Sequence, residues 1–174
     1  MPLVLNGTTG VQDNSGAFVA GTAVASTSGT SIDFTSIPSW VKRITVMFNG
    51  VSTSGTSVPT LQIGDSGGIE NTGYVSSALT AGSTTPATAS STTAFILYGS
   101  TWAGSVSFNG TLVLTLLGSN TWTGVFNLGR ESGSSTCTFG SGVKTLSDTL
   151  TQLRITTVNG TDTFDAGSIN ILYE

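Results

Sequence analysis

The sequence predicts an all-β fold: a jelly-roll-like antiparallel β-sandwich of about eight or nine strands with an extended N-terminal arm. Three observations predict it. Apolar and polar residues alternate over short runs, which places the apolar ones on one face of a strand. Thr, Val, Ile and aromatic residues favour strands, and 23 glycines supply turns. Apolar positions never recur at helical spacing over a sustained window, so we expect almost no helix.

Composition indicates one domain with a hydroxyl-rich surface. A chain of 174 residues suits a single core plus an arm. Ser and Thr make up roughly a third of the chain, whereas only 8% of residues are charged. Hydrophobic residues reach 37%, which is enough to build a core. We predict an arm over residues 1–30 and a β-sandwich over residues 31–174.

The predicted arm contains one apolar run, Leu3, Val4 and Leu5, followed by small and polar residues without a sustained period. Such a segment buries too little surface to order itself alone. We therefore predict that these three residues anchor the arm to a neighbouring protein.

The first strands follow the arm. Residues 32–34 alternate, and residues 37–40 form a corner because Pro38 blocks continued pairing. Residues 43–48 predict a strand with Ile44, Val46 and Phe48 on one face. Asn49 and Gly50 then predict a tight turn, because this dipeptide accepts positive φ.

The middle of the chain predicts two strands and two loops. Residues 61–63 form a short strand, and residues 74–79 are expected to pair with it after a glycine-rich loop over residues 66–73. Residues 81–93 are rich in Thr, Ser and Ala and contain Pro86, so we predict an exposed loop there.

A hairpin is the strongest pattern in the second half. Val106 and Phe108 lead through a predicted turn at Asn109 and Gly110 into a strand over residues 112–116. Residues 95–98 are apolar on both faces and also predict a strand. Further strands are predicted at residues 122–128, 136–139, 152–158 and 168–173, with a turn at Asn159 and Gly160.

Charge and targeting patterns exclude several classes of partner. With a net charge of −4 and five basic residues, the chain cannot neutralise many phosphates, so nucleic acid is not an expected partner. No apolar run is long enough to cross a membrane, and no secretory signal is evident, so we expect no membrane insertion. The single Cys137 cannot form an internal disulfide, which indicates synthesis in a reducing cytoplasm.

The residues available for catalysis are few, and we expect no enzyme activity. The chain has no histidine, which removes the usual general base and nucleophile-activating group. Cys137 lacks an imidazole to lower its thiol pKa, so we interpret it as inert. Two acid pairs, Asp65 with Glu70 and Asp162 with Asp165, leave a carbohydrate-active enzyme as a remote alternative, because glycoside cleavage needs only two carboxyl groups.

We expect no metal and no cofactor. Asn159, Asp162 and Asp165 are oxygen ligands of the kind that Ca²⁺ prefers, but their spacing fits no known calcium loop. A polar loop is the simpler interpretation. For binding, Trp102 lies between glycines and is predicted to be an exposed aromatic residue. With Tyr74 and Asp65 it forms our candidate set for contact with a ligand or host surface.

Two stretches carry a family resemblance. Residues 31–52, SIDFTSIPSWVKRITVMFNGVS, and residues 153–174, LRITTVNGTDTFDAGSINILYE, resemble the C-terminal β domain of bacteriophage tail-fibre-type proteins. The opening residues 2–10 resemble the virion-proximal start of such proteins. The motifs are structural, so the resemblance transfers no catalytic residue.

The resemblance implies a homotrimeric structural protein of the virion, made in the cytoplasm of the host bacterium. Three copies of one weak site would bind a host glycan or protein by avidity. The arm would attach to other virion proteins or to a neighbouring subunit. No repeat follows the arm to build a shaft, which favours a short fibre or, as an alternative, a capsid decoration protein that stabilises the head.

Overall fold

The part of the chain that the structure describes contains sixteen β-strands, joined by turns and loops. This computed structural model describes residues 5–6, 10–11, 18–82, 85–104, 106–131 and 136–174. No helix occurs in these ranges, and so none that could cross a membrane. The strands are β1 (Leu5–Asn6), β2 (Gly10–Val11), β3 (Val19–Ala20), β4 (Val24–Ala25), β5 (Ile32–Phe34), β6 (Arg43–Thr53), β7 (Pro59–Asp65), β8 (Gly68–Ile69), β9 (Tyr74–Ala81), β10 (Ala87–Ser91), β11 (Phe95–Ile96), β12 (Phe108–Gly118), β13 (Thr121–Arg130), β14 (Thr136–Thr145), β15 (Gln152–Thr157) and β16 (Phe164–Tyr173).

The strands pair antiparallel and form two large sheets. The nine-stranded sheet has the order β10-β9-β14-β13-β12-β6-β16-β3, with β4 also paired to β16. The five-stranded sheet has the order β11-β7-β15-β5, with β8 paired to β7, and β1 pairs with β2. The predicted all-β antiparallel sandwich is therefore confirmed.

The strand count exceeds the predicted eight or nine for a simple reason. Nine of the strands contain five residues or more, and the sequence predicts all of these except β10. The other seven contain two or three residues. The sequence predicts two of them, β5 and β11, and the remaining five are two-residue strands, too short for an alternating pattern to be visible.

One core lies between the two sheets, built from the inward-facing members of each alternating pattern. Ile44, Val46 and Phe48 of β6 are buried, as the sequence predicts. Leu112 and Leu114 of β12 lie on the same side of the sheet and are fully buried. Further core residues come from the facing sheet, among them Leu61, Ile63, Phe95, Leu153 and Ile155.

Phe95 of the five-stranded sheet packs on the backbone of the opposite sheet. A Cβ atom on Gly124 or Gly142 would lie 3.0 or 2.9 Å from atoms of the Phe95 ring. The edge of the Phe95 ring also meets Tyr74, with 5.3 Å between the ring centroids. Glycine at these two strand positions therefore lets the sheets approach closely.

Two predicted turns are bulges inside long strands. β6 continues through Asn49 and Gly50, and β12 continues through Asn109 and Gly110. The register shifts at these points, and the Asn109 side chain accepts a hydrogen bond from the Gly50 backbone N–H at 2.7 Å. Gly50 and Gly110 have φ values of 60° and 134°, and one type of bulge, like a tight turn, favours a glycine at positive φ.

The β12–β13 hairpin turns instead at two residues that the sequence did not single out. Ser119 and Asn120 have φ values of 47° and 60°, and positive φ at both central residues is what a type I′ turn requires. The turn at Asn159 and Gly160 is confirmed, but it connects strands of different sheets.

Two assignments in the middle of the chain are wrong. Residues 81–93, predicted as an exposed loop, contain β10, which pairs with β9 at the edge of the nine-stranded sheet. β9 itself pairs with β10 and β14, whereas we expected residues 74–79 to pair with the strand at residues 61–63. Edge strands tolerate polar, hydroxyl-rich sequences because one side faces solvent, so composition alone did not reveal β10.

The described second half of the predicted arm lies along the sandwich. β3 and β4 pair with β16 of the same chain, and the fully buried Ser26 donates a hydrogen bond from Oγ to the Ala166 carbonyl at 2.8 Å. The Gly29 carbonyl accepts a further hydrogen bond from the Phe164 N–H. Residues 18–30 thus close one edge of the nine-stranded sheet.

Replacing Leu153 with Ala tests the core. The Leu153 side chain is 0% exposed in β15, so the cavity should lower the free energy of unfolding by about 3 kcal/mol in urea denaturation. Leu117→Ala is the matched control, because Leu117 is 75% exposed and should change the value by less than about 0.5 kcal/mol. Equal effects of the two variants would contradict this core.

Candidate functional site

The predicted site residue Asp65 is buried at the end of β7. Its Oδ1 atom accepts a hydrogen bond from the Gly67 N–H at 2.7 Å, and its Oδ2 atom accepts one from Ser147 Oγ at 2.6 Å. The backbone carbonyl of Asp65 also accepts a hydrogen bond from Gln152 Nε2. The side chain is therefore occupied in fixing a turn and is not presented to a ligand.

Glu70 lies beside Asp65 and shares its hydrogen-bond donor. Glu70 Oε1 accepts a hydrogen bond from the backbone N–H of Ser147 at 2.8 Å. The Ser147 Oγ atom lies 2.8 Å from the same oxygen, so its one hydrogen is shared between Glu70 and Asp65. Glu70 Oε2 forms an ion pair with Lys144, whose side chain is only 5% exposed. The predicted acid pair is thus brought together by Ser147, and each of its carboxylate oxygens accepts a hydrogen bond.

These contacts keep both acids ionised. The Ser147 hydroxyl and the Gly67 N–H lower the pKa of Asp65, and they outweigh the opposing effect of burial. Burial raises the pKa of Glu70, but the hydrogen bonds from Lys144 and Ser147 outweigh it, so the net shift is downward. A general acid for glycoside cleavage needs a raised pKa, which neither carboxyl group has.

Tyr74, the second predicted site residue, joins the two sheets from inside. It is 1% exposed, and its hydroxyl accepts a hydrogen bond from the Ile63 N–H at 2.8 Å and donates to the Glu70 carbonyl at 2.9 Å. Burial raises the pKa of this hydroxyl. The prediction that Tyr74 contacts an external ligand is therefore wrong, because the side chain connects β9 to β7 within the core.

The prediction that Trp102 is exposed is also wrong. Trp102 is 3% exposed, its Nε1–H donates to Thr53 Oγ1 at 3.0 Å, and its ring packs edge-on against Tyr98 and Phe108. The neighbouring glycines explain the error. A Cβ atom on Gly104 would lie 2.8 Å from the Ser54 carbonyl oxygen, so the glycine permits close packing where we inferred an open loop.

The second acid pair is divided between a loop and a strand: Asp162 lies in the loop before β16, whereas Asp165, which we expected in a loop, lies in β16 itself. Asp162 accepts hydrogen bonds from the Ser57 N–H and from Asn159 Nδ2, each at 2.8 Å. Asp165 accepts one from the Ser52 hydroxyl. These contacts agree with the polar-loop interpretation of Asn159 and its neighbours. Within the described ranges, no group of three or more His, Cys, Asp or Glu residues could hold a metal ion.

Of the proposed anchor residues, the structure describes Leu5, which pairs with Val11 between β1 and β2. Leu3 and Val4 lie outside the described residues, and Leu5 is the first residue of β1. Their anchoring role stays a prediction.

The outer side of the nine-stranded sheet is a further exposed surface. We call it the apolar face and define it by the outward residues of β9, β13 and β14, which are Val75, Ser77, Leu79, Thr123, Val125, Asn127, Phe139, Ser141 and Val143. Val75 is 70% exposed, Val125 56% and Phe139 47%. Leu79 lies across from Phe139 and Val75 lies across from Val143 in the register, and exposed apolar side chains clustered in this way mark interaction surfaces.

No charged side chain interrupts the apolar face. β9, β10, β12, β13 and β14 contain only two charged residues, Arg130 and Lys144, and both occupy inward-facing positions. Arg130 donates to the Tyr98 hydroxyl at 3.1 Å, and Lys144 pairs with Glu70. The outer surface of these five strands therefore presents only apolar and uncharged polar groups.

The outer side of the five-stranded sheet is different. Arg154 forms two hydrogen bonds of 2.7 Å with the Asp33 carboxylate across β15 and β5, and this ion pair is about one-third exposed. Gln62 of β7 lies next to Arg154 in the register. The charged face suits contact with water, whereas the uncharged face suits contact with another protein.

The sequence analysis missed the apolar face, although a signal for it exists. In β9, Tyr74 and Ala78 point inward while Val75 and Leu79 point outward, so apolar residues lie on both faces of the strand. In β14, Phe139 lies on the outward set beside Ser141. Apolar residues on both faces of a strand indicate that both faces are covered, and we assigned only one covering layer.

Scans of protein-family models, curated proteins and solved structures each returned no match to this chain.

Replacing Lys144 with Met tests the buried ion pair. The change leaves the Glu70 carboxylate without its cation, so the free energy of unfolding at neutral pH should fall by about 3 kcal/mol. Lys42→Met is the matched control, because Lys42 is exposed and should change the value by less than about 0.5 kcal/mol.

The same pair gives a pH dependence of known sign. The pKa of Glu70 in the folded chain lies below its ordinary value of 4.5, so its stabilising contribution is present above pH 4.5 and is lost as the pH falls through the lowered pKa. The stability difference between the wild type and Lys144→Met should therefore shrink in urea titrations at about pH 3. A difference that grows in acid would contradict this assignment.

Proposed function

We propose that this chain is a non-enzymatic structural module of a bacteriophage particle. The observation that carries the proposal is the apolar face, a broad uncharged surface on a rigid sheet. A surface of this kind favours assembly with other protein subunits. The family resemblance of residues 31–52 and 153–174 supports the virion as the assembly concerned.

Within the particle, we favour a short tail-fibre-type module that forms a homotrimer and serves attachment or host recognition. Three identical copies would multiply the affinity of a weak contact with a host glycan or protein. The predicted anchor at Leu3, Val4 and Leu5 would hold the module to other virion proteins.

Capsid decoration is the second candidate, and the apolar face itself favours it. A flat uncharged surface can lie on a protein shell without burying charged groups, which is costly unless each charge is paired. In this arrangement the charged outer side of the five-stranded sheet would face solvent.

The arrangement of the acids argues against the remote alternative of a carbohydrate-active enzyme. Asp65 and Glu70 are engaged with Ser147, Gly67 and Lys144. Asp162 accepts a hydrogen bond from the backbone of a loop, and Asp165 of β16 accepts one from Ser52 of β6. Each carboxylate is thus engaged in contacts within the chain, whereas a catalytic carboxylate must be accessible to the substrate.

Cryo-electron microscopy of the purified particle tests the position. We expect density for this β-sandwich at the tail in three copies, or at the capsid surface if the chain is a decoration protein. Antibody labelling of intact particles provides an independent readout. Absence of the chain from purified particles would refute the virion proposal.

A sugar-release assay tests the absence of catalysis. The purified protein should release no reducing sugar from host polysaccharide above the level of buffer alone. Asp65→Asn and Asp165→Asn, which remove the candidate carboxylates, should give the same baseline. Release by the wild type that either variant abolishes would favour the enzyme instead.

A further inference from the structure

We propose that a polar groove on the outer side of the five-stranded sheet binds one sugar unit of a neutral glycan. Outward side chains of β7 and β15, residues 30–31 and the turn at residues 157–160 line this groove. The inference rests on the proposed function, because it supplies the host contact for which Trp102, Tyr74 and Asp65 are too deeply buried.

The size and lining of the groove set the class of ligand. Its volume is about 240 Å³, which is below the roughly 300–1,000 Å³ of pockets that hold drug-sized molecules. Most of its exposed lining is polar and comes from side chains such as Gln62, Arg154 and Asn159. A stable protein contact buries about 800 Å² on each partner, so the groove suits a small polar ligand better than a protein.

Arg154 supplies hydrogen-bond donors in a fixed orientation. Its Nε and Nη2 atoms donate to the two oxygens of the Asp33 carboxylate, each at 2.7 Å, and this two-point contact fixes the plane of the guanidinium. A guanidinium carries five N–H groups, and the ion pair uses two of them. The other three can donate to neighbouring hydroxyl oxygens of a sugar.

Hydrogen-bond acceptors lie beside these donors. Gln62 lies directly across from Arg154 in the register, and its Nε2 atom donates to the Thr93 carbonyl at 3.2 Å, which leaves Oε1 to accept. The Thr156 hydroxyl donates to the Thr30 carbonyl at 2.9 Å, so its oxygen can also accept. Donors and acceptors side by side match sugar hydroxyls, because each hydroxyl both donates and accepts.

Val158 adds an apolar contact at the rim of the groove. Its side chain is 61% exposed, and its N–H donates to the Val58 carbonyl at 3.0 Å. Asn159 Oδ1 holds the rest of the turn by accepting hydrogen bonds from the N–H groups of Thr161 and Asp162. The turn is therefore fixed before a ligand arrives, which lowers the entropy cost of binding, and Val158 can pack against the C–H face of a sugar ring.

Charge favours a neutral sugar over an anionic one. The Arg154 guanidinium is paired with the Asp33 carboxylate, so the pair carries no net charge. Among the described residues that line the groove, Arg154 is the only charged one. A carboxylate or phosphate on the ligand would compete with Asp33 for the same cation, whereas uncharged hydroxyls need only the N–H groups that the ion pair leaves over.

The groove lies at the end of the sandwich remote from the start of the described sheet edge. β3 pairs with the last two residues of β16, and the chain then runs along β16 until the Gly29 carbonyl meets the N–H of Phe164, its first residue. Thr30 and the turn at residues 157–160 line the groove at this second end. A module attached through its first residues would therefore present the groove away from the attachment point, and three copies would present three grooves.

Saturation-transfer difference NMR of the full chain tests the groove with simple methyl glycosides. The neutral probes are the methyl glycosides of glucose, galactose, mannose, rhamnose and N-acetylglucosamine, and methyl glucuronide is the anionic probe. We expect saturation transfer to at least one neutral glycoside, with a dissociation constant in the millimolar range that is lower than the constant for the glucuronide.

Two matched pairs of variants locate the binding. Arg154→Gln should raise the dissociation constant at least about tenfold, because hydrogen bonds from a charged donor are lost. Arg43→Gln, which removes the exposed ion pair with Glu174, should leave it unchanged. Val158→Ala should raise it about threefold through lost apolar contact, whereas Val125→Ala, at a valine 56% exposed on the other sheet, should have no effect. Near-UV circular dichroism establishes that each variant has folded.

The outcomes separate this inference from the proposed function. Absence of saturation transfer to every neutral glycoside overturns the groove, and so does binding that Arg154→Gln and Val158→Ala leave unchanged or that favours the glucuronide. A chain that binds no sugar but is present in purified particles would refute the groove and leave the virion proposal standing. A chain that binds a neutral glycoside through Arg154, but is absent from particles, would support the groove and refute the virion proposal.

Discussion

The close approach of the two sheets over Phe95 is the constraint on which the rest of the structure depends. The ring lies on the backbone of β13 and β14 because Gly124 and Gly142 have no side chains to hold it away. Tyr74 then meets the edge of the same ring and reaches across to the Ile63 backbone. A larger residue at either glycine would separate the sheets and break this cross-sheet hydrogen bond.

The polar groups at one end of the sandwich follow from this approach. Tyr74 and Lys144 are both buried at inward-facing strand positions. The buried Lys144 ammonium needs a hydrogen-bond acceptor, and the Glu70 carboxylate supplies it. Ser147 then links Glu70 to Asp65 at the end of β7. Of the two acids that resemble a catalytic pair in the sequence, Glu70 neutralises a buried lysine, since a buried charge is tolerated only when it is paired, and Asp65 holds a turn.

The alternating patterns predicted most long strands because burial on one face imposes a period of two, as in Ile44, Val46 and Phe48. Turn chemistry was less informative, since the Asn-Gly pairs at Asn49 and Asn109 serve bulges with the same positive φ that a turn uses. Trp102 was misjudged because glycine permits both open loops and tight packing, and only the neighbouring chain distinguishes them. The apolar face escaped prediction because it depends on which strands become neighbours, which local sequence does not specify.

The attachment of β3 and β4 to β16 affects how the module would carry mechanical load. A pull on the residues before Phe18 enters the sheet through two short strands at its edge, with two paired positions each. These pairs can separate one after another while β6, β12 and β16 stay joined. The first segment would then lengthen under tension as a yielding tether, and its release would uncover the surface of β16 against which Val24 and the buried Ser26 pack.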